Sequence, residues 1–142
     1  MSGVKGVKRW VAAIGLACLL GCGNSGPKTY PVNGEVRLSG VVAAALAGHI
    51  IEASLDGEPT VRASGVIEPD GRFKLETLHA GQILTGAREG SYRARIVLSD
   101  DDARSLRVAK KTLPPRYFQF ESSGLSFQVP ASEDVKLEVQ SR

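Results

Sequence analysis

Cysteine is almost absent: the 142-residue chain has two, Cys18 and Cys22, and none beyond them. Lying close together in an apolar amino-terminal stretch, they cannot staple a core, so a disulfide scaffold is excluded. Histidine is nearly as scarce. His49 and His79 stand in no metal-ligand spacing and beside no Ser and Asp set, which argues against a zinc site and against a hydrolase. The single Trp is Trp10, which leaves four Phe and three Tyr for the rest of the chain. No apolar run reaches the roughly 20 residues that span a bilayer as a helix. Excess charge is missing as well. The chain has 18 basic and 15 acidic residues; setting aside Lys5, Lys8 and Arg9 leaves 15 against 15, which removes the compositional case for nucleic-acid binding.

What is present begins at the amino terminus. Lys5, Lys8 and Arg9 occur there with no acid, and an apolar stretch of 12 residues follows, from Trp10 to Gly21. A basic segment followed by an apolar run of this length has the form of an export signal. The run ends in Leu19-Leu20-Gly21-Cys22, which resembles the lipobox of bacterial lipoproteins. The resemblance implies cleavage before Cys22, a diacylglyceryl group on the Cys22 sulfur, and acylation of the new amino group. Two or three acyl chains anchor stably where one would not. Gly23 stands where Asp is associated with inner-membrane retention in some bacteria, so the outer membrane is favoured.

Three segments are expected: a leader over residues 1–21, a tether over 22–29, and one domain over 30–142. The polar, Gly- and Pro-rich residues 23–31 span only about 16 Å as a flexible coil, which keeps the domain near the membrane surface. A chain of roughly 120 residues forms one ordinary domain and buries about two thirds of its unfolded surface, enough for a core without metal or disulfide.

From Tyr30 onward the dominant period is two. Val32, Gly34, Val36 and Leu38 alternate with Asn33, Glu35, Arg37 and Ser39. Residues 61–68 and 72–78 flank Pro69-Asp70-Gly71, a strong hairpin signal. Tyr92, Ala94, Ile96 and Leu98 share one face, as do Leu125, Phe127 and Val129, and then Val135, Leu137 and Val139. Six or seven such strands predict an all-β, antiparallel β-sandwich. Residues 41–51 are almost continuously apolar. They fit either a helical turn ended by Gly48 or a turn leading into a buried strand over 50–55; the second half is read as strand and the first stays open. Residues 99–111 are expected to form a short surface helix or turn. Ser99 is its candidate cap, the acids at 100–102 lie toward its positive end, Lys110 and Lys111 lie toward its negative end, and Pro114 and Pro115 stop it.

The order of these pieces resembles small bacterial lipoproteins with a carboxypeptidase-regulatory-like domain. The segments that carry the resemblance are Tyr30-Pro-Val-Asn-Gly-Glu-Val, Ala63-Ser-Gly, Pro69-Asp-Gly-Arg-Phe-Lys-Leu, Gly90-Ser-Tyr-Arg-Ala-Arg-Ile, Leu113-Pro-Pro-Arg-Tyr and Ser123-Gly-Leu-Ser-Phe-Gln-Val. The resemblance implies a seven-stranded, transthyretin-like (prealbumin-like) sandwich and no defined activity; neither catalysis nor a cofactor is expected. The chain departs from it at residues 41–48, where a short polar turn would be expected instead of an alanine-rich run.

Other chemistries find weak support. Asp100-Asp101-Asp102 lacks the alternating ligands and distant Glu of a calcium loop and suits a helix start better. Glu68 and Asp70 are read as turn residues. Gly86 and Gly90 follow no strand-to-helix turn of the phosphate-binding kind. Lys136 with Asn33 is the only conceivable isopeptide pair. Arg116, Tyr117, Phe118 and Phe120 are the candidate surface for an envelope protein or a glycan, weighed against the need of a Trp-free domain to bury most of its aromatics. The function expected is a structural or binding module of the cell envelope, held to a membrane through Cys22. The alternative is an accessory subunit that presents a substrate to an envelope enzyme or transporter.

Overall fold

The structure, a computed structural model, describes residues 26–142 together with Gly3. Strand-forming alternation dominates those residues, and ten strands arrange into two sheets that enclose one core, an all-β sandwich. In the first sheet β1 (Asn33–Leu38) is central. It pairs with β10 (Val135–Val139) on one side and with β2 (Val41–Val42) and β5 (Arg72–Lys74) on the other. The second sheet has six strands in the order β7 (Gln82–Thr85), β6 (Glu76–His79), β4 (Glu58–Val66), β3 (Ile50–Leu55), β8 (Gly90–Val97) and β9 (Leu125–Val129). All its pairings are antiparallel.

The period of two sets the inner faces. Val135, Leu137 and Val139 are buried while Lys136 and Glu138 are exposed, and Tyr92, Ala94 and Ile96 point inward from β8. Val36, Phe73, Ile51 and Leu75 complete the interior. Full burial of one such side chain stabilises by about 1.5–3 kcal/mol, so this face accounts for most of the driving force.

Four expectations need correction. The sheets are not wholly antiparallel, because β1 and β10 pair in parallel with Val36 opposite Leu137. The strand count is ten and not about seven, because the segment 72–78 is divided into β5 and β6, and β2 and β7 are added. The hairpin at Asp70-Gly71 forms its turn: Gly71 N–H donates to Glu68 O (2.8 Å) and Glu68 N–H to Arg72 O (2.8 Å), with Gly71 at φ 83°. Its second arm, however, splits. Arg72–Lys74 joins β1, and only β6 returns to β4. The break falls where the Lys74 carbonyl sits against Gly65, in space a side chain would fill. Leu75 then donates its N–H to Val32 O (3.0 Å). Finally, α1 (Ala103–Thr112) is capped not by Ser99 but by Asp102, whose Oδ1 accepts from Arg104 N–H at 3.0 Å. Ser99 instead makes a local turn, its Oγ bonded to Asp101.

The open segment at 41–48 resolves into β2 and a single 3-10 turn over Ala44–Leu46, with Leu46 fully buried. Among the described residues no helix is long and apolar enough to cross a membrane.

Candidate functional site

Cys22 and, apart from Gly3, the expected leader over residues 1–21 lie outside the described residues. The chain is fastened just past the expected tether over residues 22–29: Tyr30 and Ala87 exchange two backbone hydrogen bonds, at 2.8 and 3.0 Å. Gly86, next to that bridge, has φ 84°. It donates its N–H to Leu75 O (2.7 Å), and its carbonyl accepts the buried Thr77 hydroxyl at 2.8 Å. The chain therefore enters the sandwich at the edge formed by β7. Gly26 lies against the Leu84 side chain of that strand, and the Lys28 ammonium sits 5.0 Å from the centre of the Tyr30 ring.

The four residues singled out around position 118 are dispersed. Pro114 starts a 3-10 turn over Pro115–Phe118, which turns Tyr117 into the core. The Tyr117 hydroxyl accepts from Arg116 Nη2 (2.8 Å) and from Gln140 N–H (2.9 Å). Arg116 is exposed and stacks on the Tyr117 ring at 4.7 Å. Phe118 packs against the core. Phe120 lies over the outer face of the six-stranded sheet, its ring 4.7 Å from the Arg95 guanidinium and 5.3 Å from that of Arg62. Glu52 binds both cations, Arg95 at 2.6 Å and Arg62 at 3.0 Å. Each cation–π contact at a partly exposed site is worth about 0.5–1 kcal/mol, so this stack fixes the 119–121 segment on the sheet.

A second constellation joins residues far apart in sequence. His49, 1% exposed, precedes β3; its Nδ1 accepts the Ser99 N–H at 3.1 Å and its Nε2 lies 3.2 Å from Ser105 Oγ. Asp101 and Asp102 line the same hollow of about 150 Å³, and no Lys or Arg does. The serine and the acids that meet His49 are about 50 residues away in sequence; only the fold brings Ser105 on α1 to the start of β3. The set has the composition of a nucleophilic triad but the opposite hydrogen-bond polarity. A base must face the serine with a lone pair and donate its other N–H to a carboxylate. Here Nδ1 faces a donor, so the neutral ring carries its proton on Nε2 and donates to Ser105. The arrangement fastens α1 and the end of β8 to the start of β3.

Burial holds the His49 pKa below its ordinary 6.5, while the hydrogen bond with Ser105 and the Asp102 carboxylate act in the opposite sense. The unfolded chain therefore binds the extra proton first. Stability is complete above about pH 6.5 and is lost as the pH falls from there toward the lower folded-state value. A protonated ring would also present Nδ1–H to the Ser99 N–H. Wild-type protein should show a falling melting midpoint between pH 7 and about pH 5, above the ordinary carboxylate range, and His49→Gln should not. His79→Gln should keep the wild-type slope. Equal slopes in wild type and His49→Gln would refute the assignment.

Among the described residues no group of three or more His, Cys, Asp or Glu side chains is placed to hold a metal ion. Comparison with protein-family models, with curated proteins and with solved structures finds no match to this chain.

Proposed function

We propose that the chain is a bacterial lipoprotein of the cell envelope, anchored through acyl chains on Cys22, whose β-sandwich serves as a non-catalytic structural or binding module. The observation that carries this reading is the junction Leu19-Leu20-Gly21-Cys22, at the end of an apolar run preceded by Lys5, Lys8 and Arg9. The Tyr30–Ala87 bridge supports it, because only residues 23–29 separate the proposed lipid from the first backbone tie of the sandwich. The segments that resemble carboxypeptidase-regulatory-like domains extend the proposal to a transthyretin-like arrangement of the sheets. Gly23 favours outer over inner membrane.

The hydrogen-bond polarity at His49 supports a module without nucleophilic chemistry at that site. The intramolecular stacking of Phe120 and the burial of Tyr117 shift attention from those rings to other surfaces. Fractionation of intact cells tests the proposal. The protein should stay with membranes through washes in concentrated salt and alkaline carbonate, and should enter the detergent phase on partitioning, because buried acyl chains are indifferent to salt. Release into the soluble fraction by salt would contradict it.

A further inference from the structure

The hairpin formed by β6 and β7 ends in a two-residue loop, Ala80 and Gly81, both at positive φ as the tightest hairpin turns require. Leu78 and Ile83 are direct cross-strand partners on its outer face and are 73% and 69% exposed, the two largest exposures among the large apolar side chains of the described residues. The hairpin itself is uncharged: from Thr77 to Ala87 there is no Asp, Glu, Lys or Arg, and the nearest charges on the same face are Glu76, two residues before Leu78, and Arg62 on β4. β7 is also an edge strand. Sheet edges are ordinarily blunted by charge, proline or a covering segment, so an uncharged edge with an exposed aliphatic pair requires a cover.

The path of the chain indicates what covers it. Gly26 rests on Leu84, the neighbour of Ile83 on β7, and Cys22 lies four residues earlier. Four extended residues reach at most roughly 14 Å. A lipid on Cys22 would therefore enter its bilayer within reach of this hairpin, although Leu84 itself pairs with the buried Thr77 on the other face from Leu78 and Ile83. Lys28, exposed, and Tyr30, half-buried, flank the same edge and suit the headgroup layer, where cations meet anionic lipid and aromatic rings gather.

We propose that the β6–β7 hairpin is a second membrane contact, with Leu78 and Ile83 inserted among the lipids and the β7 edge turned to the bilayer. The inference rests on the lipid anchor proposed above. It fixes how the domain stands: α1, held to His49 at the opposite end of the six-stranded sheet, points away from the membrane. That end is marked by Ile50 opposite Val66 and Val97, whereas Leu78 lies beyond the Ala63–Thr77 pair.

The protein after Cys22 contains no Trp, so one substitution supplies a unique reporter. Full lipid-modified protein carrying Leu78→Trp, and separately Ile83→Trp, would be reconstituted into vesicles of phosphatidylethanolamine and phosphatidylglycerol with and without brominated acyl chains. Each indole should lose about half its emission to the bromine and shift to shorter wavelength, as a ring at headgroup depth does. Val108→Trp on α1, where the native side chain is 42% exposed, should be unchanged by bromine. Protein that floats with the vesicles while both hairpin indoles stay unquenched would overturn this inference and leave the anchor standing. A blue shift without quenching would overturn it in favour of a protein partner or a second copy on the edge. Protein that carries no lipid and fails to float would overturn the anchor reading and this inference together.

Discussion

Changing Cys22 to Ser should leave an uncut, larger species in the membrane fraction and remove the mature lipid-modified form entirely. Only a thiolate at the junction can accept the diacylglyceryl group, and a serine hydroxyl at ordinary pH does not replace it. Lys5, Lys8, Arg9 and the apolar stretch from Trp10 to Gly21 remain, so on the proposed reading export should still begin. On that reading the lipoprotein-specific peptidase should have no substrate without the lipid, and the precursor should stay held by its own leader. Immunoblotting of fractionated cells reads the difference of 21 residues directly. A Cys22→Ser protein that is cut and released in the same way as wild type would mean that the junction belongs to an ordinary secreted protein.

The second large effect is expected at Gly86. Valine there must adopt φ near 84°, a left-handed conformation that is costly for a β-branched residue. Its Cβ would also overlap the Tyr30 carbonyl and stand 2.9 Å from Pro31 N. The backbone strain alone costs about 1–3 kcal/mol. Separating Tyr30 from Ala87 adds buried or half-buried backbone groups without partners, at about 1–3 kcal/mol each where no water replaces them. A total of about 3 kcal/mol or more is a large part of the 5–15 kcal/mol available to a domain. The urea midpoint should fall sharply with the slope unchanged. Gly86→Ala should fall less than Gly86→Val but in the same direction. An unaltered midpoint for Gly86→Val would mean that the tether is not clamped at this glycine.

How much of this was legible in the sequence depends on the range over which each feature is determined. Alternation named the inward faces of β1, β8, β9 and β10 correctly, because Val135, Leu137 and Val139, or Tyr92, Ala94 and Ile96, need only the geometry of their own strand. The same alternation carries no information on neighbours, so the parallel pairing of β1 with β10 was invisible. The Asp70-Gly71 turn was legible because it is local. The split of its second arm was not, because it depends on the Lys74 carbonyl filling the space beside Gly65. The cap of α1 was misassigned within a short run of four capping residues, where Asp102 rather than Ser99 holds the Arg104 amide.

The candidate site divides in the same way. The proposed junction at Cys22 is a contiguous motif that only the sequence carries, outside the described residues, whereas His49, Ser99 and Ser105 come together only in the folded chain. For the aromatics, composition was the better guide than adjacency. Tyr117 is 2% exposed, as expected when a domain without Trp must fill its core, and Phe120 is held by Arg62 and Arg95. The apolar pair Leu78 and Ile83 passed unnoticed because alternation assigns one residue of each pair to a buried face. Their exposure follows from the pairing of β6 with β7, which sets both on the outer face while Thr77 faces inward.

The most direct test of the account is the intact mass of wild-type protein purified from membranes of cells grown with labelled fatty acid. The account predicts incorporation of the label and a chain that lacks residues 1–21 and begins at Cys22 with its sulfur and amino group acylated. A mature chain that begins at any other residue, or one that begins at Cys22 and takes up no label, would contradict it.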